Sequence, residues 1–303
     1  LVIVVVAMFL GVDPSSILGQ QNQAPQSSQG SSAYDLSKCK TGADANKYLE
    51  CRIVATGNSV DGVWSQLLKG YTPPKIRLFR GQVQTACGPA DTSVGPFYCP
   101  GDKTAYFDTS FFQTLVDQFG SSGGPLAQEY VVAHEYGHHV VNRGGSGQGQ
   151  YGEGTGDCMG VIINDQPILG YGFQGNCAAG IRTANNTYQY PQTGEIHDAG
   201  QLISGCVWSL RNQLVVTEPS NYKTILNRLM INAVQLHTGT EITPQIYTDY
   251  LTIDDNDGNL SNGTPHFCEI NAAFAAHSMA TASGSVSFTF PGGQPSLVNP
   301  NGA

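Results

Sequence analysis

The stretch Tyr130-Val-Val-Ala-His-Glu-Tyr-Gly-His-His139 constrains this chain more than any other. At about 3.6 residues per turn, His134 and His138 stack on one helical face and Glu135 is rotated off that line. Two neutral imidazoles on one face suit a borderline-soft ion such as zinc, and a carboxylate beside them can take a proton from a water activated there. The spacing is H-E-x-x-H, the arrangement of zinc hydrolases. Leu126, Tyr130, Val131, His134, His138 and Val141 recur mostly at intervals of three and four, so the histidine face is also the inward face of a predicted helix. Pro125 suits its first position and Gly144-Gly145 its end. A buried amphipathic helix whose histidines only satisfy hydrogen bonds would carry the same period. The coincidence of three fixed residues with that period favours the metal.

The rest of the composition narrows the setting. The formal net charge is −9, from 14 basic and 23 acidic residues, and no dense basic cluster exists, which argues against a nucleic-acid partner. Charged residues make up 12% of the chain, against roughly 25% in an average soluble domain, a surface style of proteins outside the cytoplasm. The eight cysteines form no close C-x-x-C pair. Cys39 with Cys51 and Cys87 with Cys99 read as local disulfides, while Cys158, Cys177, Cys206 and Cys268 stay unassigned.

In chain order, residues 1–12 open with ten apolar side chains, about half of a membrane span, and read as the exit end of a membrane anchor. A signal-peptide core or a buried strand are the alternatives. Residues 13–33, rich in Ser, Gln, Asn and Gly, read as a solvated tether. Strands are expected at Lys75–Arg80 and Lys103–Asp108, the second of these as the edge along which an extended peptide would lie. Helices are expected near 47–68, with an interruption before Ser59-Val-Asp-Gly-Val-Trp64, near 111–119 and 219–237, and from Thr264 to about Ala280. Ser285–Phe290 alternates like a strand, either adding to a sheet edge or opening a further β-domain in residues 281–303.

After the histidine helix comes Tyr151-Gly-Glu-Gly-Thr-Gly-Asp157. A second helix starting near Gly152 would carry Glu153 and Asp157 one turn apart. Glu153 can complete a site of two histidines and one glutamate, leaving a position open to water, and Asp157 can orient one ligand imidazole through its other nitrogen. The plainer alternative is a helix start whose acidic residues complement the dipole. Asp254-Asp-Asn-Asp-Gly-Asn-Leu-Ser-Asn262 offers hard oxygens, with Asp255 and Asp257 as candidate Ca2+ ligands, or else a capped turn. His237, His266 and His277 have no companions at ligand spacing.

Trp64-Ser-Gln-Leu-Leu68, Tyr71-Thr-Pro-Pro-Lys75, Gly95-Pro-Phe-Tyr-Cys-Pro-Gly-Asp102, Tyr106-Phe-Asp-Thr-Ser-Phe-Phe112 and the histidine helix together resemble the bacterial neutral zinc metallopeptidase family over about residues 34–143. That resemblance implies a membrane-anchored zinc domain. The segment with which that family would supply a third ligand, of Glu-Leu-Gln-Ala-Asp type, is absent. The second half instead resembles the fungalysin-like and thermolysin-like gluzincins, in which Glu-Gly-x-x-Asp follows the zinc helix and a Val/Ile-His-x-x-Gly segment carries a second catalytic histidine. On that resemblance His197, within Glu195-Ile-His-Asp-Ala-Gly200, would donate a hydrogen bond to the oxyanion. A histidine at a helix start is the structural alternative.

The combined expectation is an α+β, zincin-like fold: a subdomain at 34–143 with a small sheet and the histidine helix, then a mainly helical subdomain at 144–280. The expected activity is zinc-dependent hydrolysis of a peptide or protein substrate outside the cytoplasm, by a membrane-anchored or secreted protein. Zn2+ would sit on His134, His138 and Glu153, with Glu135 and His197 as catalytic residues. An inactive zinc-binding envelope module that holds a protein partner is the competing class; it would have no need of Glu135.

Overall fold

The computed structural model describes residues 34–119, 123–147, 149–171 and 179–280, together with two-residue strands at 286–287 and 296–297. The expected anchor and tether at 1–33, and Cys177, lie outside the described residues. Among those that are described, no helix is long and apolar enough to cross a membrane. The chain mixes helices with small sheets and divides into two compact units. One comprises Leu1–His139 with Ile168–Arg182, the other Val140–Pro167 with Thr183–Ala303.

The first unit opens with α1 (Gly42–Lys47), held by a capping box in which Thr41 and Asp44 satisfy each other's amides, and α2 (Leu49–Leu67). Then come β1 (Lys75–Phe79), the hairpin β2 (Gln82–Thr85) and β3 (Gly88–Asp91), β4 (Phe97–Cys99), β5 (Thr104–Asp108), α3 (Phe111–Phe119) and α4 (Pro125–Arg143). The three-stranded sheet runs β1-β5-β4, with β1 parallel and β4 antiparallel to β5. The strand at 103–108 is therefore central and cannot be the substrate edge expected from the sequence. Its residues Thr104 to Asp108 are all buried, as a strand covered on both sides requires. The edges are β1 and β4.

Phe79, Val83, Cys99 and Tyr106 form a core cluster on one face of the sheet, with Phe97 stacked on Tyr106 at 4.9 Å. The disulfide Cys87–Cys99 ties the β2–β3 hairpin to β4, and Cys39–Cys51 ties the entry segment to α2. Each closes a short loop and restricts the unfolded chain, an effect of roughly 2–4 kcal/mol. On the other face α2 approaches closely because Gly57 has no side chain. A Cβ there would lie 2.5 Å from Ile76 Cδ1 and 2.6 Å from the hydroxyl of Tyr136, the residue after Glu135.

The second unit is helical: α5 (Gln150–Asn164), α6 (Ile196–Thr217), α7 (Tyr222–Leu236), α8 (Gln245–Asp254) and α9 (Phe267–Ala275). Every residue of α5 from Gln150 to Ile162 is buried. Its glycines, which cost helix stability by about 1 kcal/mol each, let another helix approach without intervening side chains. A Cβ on Gly154 would meet the carbonyl oxygen of Gly200 at 2.4 Å, and one on Gly200 would meet the amide nitrogen of Gly154 at 2.8 Å. The two backbones thus touch, with α5 and α6 crossing at a glycine on each. Cys158 and Cys206 are buried thiols on these helices, and burial pushes both above the usual thiol range, so they act as small apolar fillers.

The C-terminus of α5 is fixed by Asp165, in the left-handed conformation (φ 54°). Its carboxylate accepts from Arg211 Nε at 2.8 Å and Tyr222 Oη at 2.8 Å and pairs with Lys223 Nζ at 3.2 Å. Beyond α9 the described strands Val286–Ser287 and Ser296–Leu297 pair antiparallel with each other.

Gly154→Ala drives a methyl into a backbone carbonyl that cannot step aside. It is expected to destabilise the protein by about 1–3 kcal/mol, the usual cost of overpacking, read as a lower midpoint in thermal or urea unfolding. The hydrogen bond from Arg211, ahead of an opposing burial effect and the contacts with Tyr222 and Lys223, holds the Asp165 carboxyl at about 2. Its folded value is depressed below the ordinary aspartate value of roughly 3.9. The stability it adds is therefore present above pH 4 and lost as pH falls from about 4 to about 2. Asp165→Asn is expected to flatten that acid limb when unfolding free energy is measured against pH; equal slopes for both proteins would contradict it.

Candidate metal centre

Helix α4 carries the H-E-x-x-H residues, and all three are buried: His134 and His138 are 2% and 5% exposed and Glu135 6%. The two imidazoles stand 4.7 Å apart between ring centroids and nearly perpendicular, at 87°. Tyr130, one turn earlier, lies 5.9 Å from the His134 ring and takes a hydrogen bond from Arg182 Nη2 at 2.9 Å. The neighbouring His139 is a different kind of residue. Its Nδ1 meets Tyr98 Oη on β4 at 2.9 Å and its Nε2 meets the Thr72 carbonyl at 2.9 Å. A carbonyl only accepts, so the proton sits on Nε2 and the Tyr98 hydroxyl donates to Nδ1. Both ring nitrogens are engaged within the first unit, which leaves His134 and His138 as the candidate ligand pair of this helix.

Glu153 lies in the first turn of α5, where the helix dipole favours a carboxylate, and Asp157 is buried one turn further along. His197 lies in the first turn of α6, close to the Gly200 crossing. Its Nε2 is 3.1 Å from Glu153 Oε2. On the other side of the ring, Nδ1 is 2.7 Å from Glu195 Oε1.

Glu195 is the N-cap of α6 and was not singled out in the sequence. Its second oxygen accepts the backbone N–H groups of His197 and Asp198, each at 3.0 Å. Burial alone would raise the Glu195 carboxyl, but the His197 hydrogen bond, the imidazole's charge and the two backbone amides together bring it below its ordinary value. A glutamate two residues before a histidine at a helix start was the available signal. Glutamate is an uncommon N-cap, and that hid it.

Among the described residues, one group of three or more His, Cys, Asp or Glu side chains could hold a metal ion. It is His134, His138 and Glu153, all buried, with one ligand atom from each lying within 4.8 Å of the others. Two imidazoles and one carboxylate, with no thiolate, form the donor chemistry of a catalytic zinc that keeps a position open. The residues present fit the ion.

The calcium expectation is corrected. Asp257 turns one oxygen to the Asn259 amide at 2.9 Å and the other to Asn262 Nδ2 at 2.7 Å. The buried carboxylate of Asp254 is taken up by Arg228 Nη2 (3.0 Å), Thr264 Oγ1 (2.8 Å) and His266 Nδ1 (2.7 Å). The oxygens of Asp254 and Asp257 diverge onto donors of the protein, Asp255 Oδ1 is buried without a hydrogen-bond partner, and among the described residues the 254–262 segment brings no group of three metal-ligating side chains together. His237 and His277 are structural as well. His237 is held by Asp249 and the Glu241 carbonyl, and His277 by the Tyr188 carbonyl and Ser209.

Comparison with known proteins bears on these residues. The uncharacterized protein Rv2575 of Mycobacterium tuberculosis is 60% identical over 179 residues, 58% of this chain and 54% of that protein. The uncharacterized protein Mb2605 of Mycobacterium bovis matches to the same extent. The uncharacterized protein YpfJ of Escherichia coli is 36% identical over 141 residues, 46% of each chain. The chain thus spans about half the length of the curated relatives it matches. A family model covers residues 1–199, a span that takes in α4, α5 and the first turn of α6. With well over half of its length matched, and His134, Glu135, His138 and Glu153 inside the match, this chain belongs to the family described as "Putative neutral zinc metallopeptidase".

Proposed function

We propose that this chain is a zinc-dependent endopeptidase. The observation that carries the reading is the buried His134, His138 and Glu153 group, with Glu135 directly after the first histidine on the same helix. Zinc held by those three side chains would supply Lewis acidity, lowering the pKa of a water and polarising the scissile carbonyl. The chain's own residues do the rest. Glu135 takes a proton from the attacking water as the new C–O bond forms, then passes it to the amide nitrogen as the C–N bond breaks, so the amine leaves neutral. His197, with Nδ1 tied to Glu195 and Nε2 beside Glu153, would donate from Nε2 to the oxygen that becomes negative in the transition state, leaving its contact with Glu153 as it does so. Asp157 orients a ligand imidazole from one turn beyond Glu153.

The α5 and α6 geometry supports a gluzincin-like reading of the second half, in which a glutamate on the helix after the histidine helix is the third ligand. The contact between His197 and Glu153 supports it further. A zincin-like fold is part of the same proposal. Two disulfides support a place outside the cytoplasm, where such bonds persist.

Purified protein is expected to hold about one zinc by elemental analysis. Glu153→Ala should lower zinc affinity by more than about 100-fold, since losing even an outer partner of a ligand costs roughly 10–100-fold. Glu135→Gln should keep the zinc and lower hydrolysis of a casein substrate by roughly 10²–10⁴-fold. A zinc-loaded native protein with no hydrolysis of casein or of a peptide library would turn the reading to a binding module.

A further inference from the structure

Among the described residues, strand β1 has a neighbouring strand on one side only. The Lys75 amide donates to the Lys103 carbonyl at 2.9 Å, and the Thr109 amide donates to the Phe79 carbonyl at 3.2 Å. In a parallel ladder alternate residues face the neighbouring strand. Lys75, Arg77 and Phe79 therefore turn their main chain to β5, and Ile76 and Leu78 turn theirs to the open edge. Among the described residues no further main-chain partner meets Ile76 or Leu78.

A groove of about 820 Å³ runs along this edge. Its helix side is lined by Val54, Asn58 and Asp61, which share one face of α2, by Tyr136 of α4, and by the side chains of Ile76 and Leu78. All belong to the first unit. Among the described residues lining that side Asp61 is the one charged group, while Lys75, Arg77 and Asp102 line the groove elsewhere. Asp61 accepts from Tyr71 Oη at 2.8 Å and Tyr136 Oη at 3.5 Å, and no Lys, Arg or His of the described residues pairs with it. Burial pushes its carboxyl above the ordinary value, against the smaller lowering by the two phenols. Lys75 and Arg77 are exposed on the opposite face of the strand.

We infer that the β1 edge is a second peptide site, which takes an extended segment by strand addition and directs a lysine or arginine side chain of that segment onto Asp61. The N–H and C=O groups that Ile76 and Leu78 turn to the open edge supply main-chain pairing, and every second side chain of the added strand enters the groove on the α2 side of the sheet. An incoming cation supplies the positive charge that the half-buried Asp61 lacks, flanked by Val54, Ile76 and Leu78 for the aliphatic stem. A neutral or acidic side chain there would leave the carboxylate uncompensated or opposed. The site lies on a different face of α4 from the histidines, since Tyr136 is two residues from each of them along a helix. It stands whether or not the hydrolytic reading does.

The test is fluorescence anisotropy with a labelled heptapeptide, Thr-Val-Thr-Lys-Thr-Val-Thr, against zinc-loaded Glu135→Gln protein, which would not cut it. A second peptide carries norleucine in place of lysine, and two more are N-methylated on one or the other alternate set of amides. The lysine peptide is expected to bind about tenfold or more tightly than the norleucine one, the scale of a charge-assisted hydrogen bond. Asp61→Asn should erase that difference. Methylation of one alternate set should abolish binding while methylation of the other leaves it. Leu78→Pro, which removes an edge N–H that β5 does not use, should weaken both unmethylated peptides, with circular dichroism confirming an intact fold. Binding that ignores Asp61→Asn and tolerates both methylation patterns places the peptide elsewhere, at the metal centre for example, and overturns the inference. Absence of saturable binding overturns it equally.

Discussion

The constraint on which the structure turns is the burial of ionisable groups around the histidine helix. His134, Glu135 and His138 on α4 and Glu153 on α5 are each less than a tenth exposed. Taking a carboxylate out of water costs several kcal/mol unless an opposite charge or strong donors compensate it. A divalent cation meets that demand for a carboxylate and two neutral imidazoles together, and it couples metal binding to folding. On α6, His197, held by Glu195, adds a donor to the Glu153 carboxylate. The donor set and the charge balance thus lead to one ion, from opposite directions.

Glycine makes the arrangement possible. Glu153 and Gly154 are adjacent on α5, and His197 precedes Gly200 by one turn on α6, so the backbone contact at Gly154 and Gly200 sets how close the carboxylate and the imidazole come. A larger residue at either position would hold the helices apart and part the two side chains. In the first unit, Gly57 does the same for α2 against Tyr136, behind the histidines. In both places an intrinsically poor helix former is kept where a helix backbone comes close to its neighbour, to another backbone at Gly154 and Gly200 and to the side chains of Ile76 and Tyr136 at Gly57.

Much of this was legible in the residues, and the parts that were not have physical reasons. The period of α4, its proline start and its glycine end specify a buried helix with both histidines inward, and the structure has it at Pro125–Arg143. The local cysteine pairs also follow from spacing. The interruption expected within 47–68 is absent: α2 runs unbroken over Leu49–Leu67, and the break falls before it at Tyr48, whose extended backbone caps α1 and opens α2. Strand order was not legible, because β1 and β5 are parallel across an intervening hairpin, and local alternation carries no information on which strand becomes central. The hairpin at 82–91 escaped because its strands are short, its turn is Ala86-Cys87, and a glycine and a proline, Gly88 and Pro89, open its second strand. The acidic 254–262 segment has the composition of a cation loop, yet the oxygens of Asp254 and Asp257 are spent on Arg228, Thr264, His266, Asn259 and Asn262, partners that composition cannot place.

The most direct measurement is an anomalous-difference map from crystals of the purified protein, recorded on either side of the zinc absorption edge. A single peak that vanishes below the edge and lies about 2.0–2.2 Å from one nitrogen each of His134 and His138 and from a Glu153 oxygen is the predicted result. A peak bound by other side chains, or a metal-free site with the Glu153 carboxylate turned away from both rings, would contradict the account.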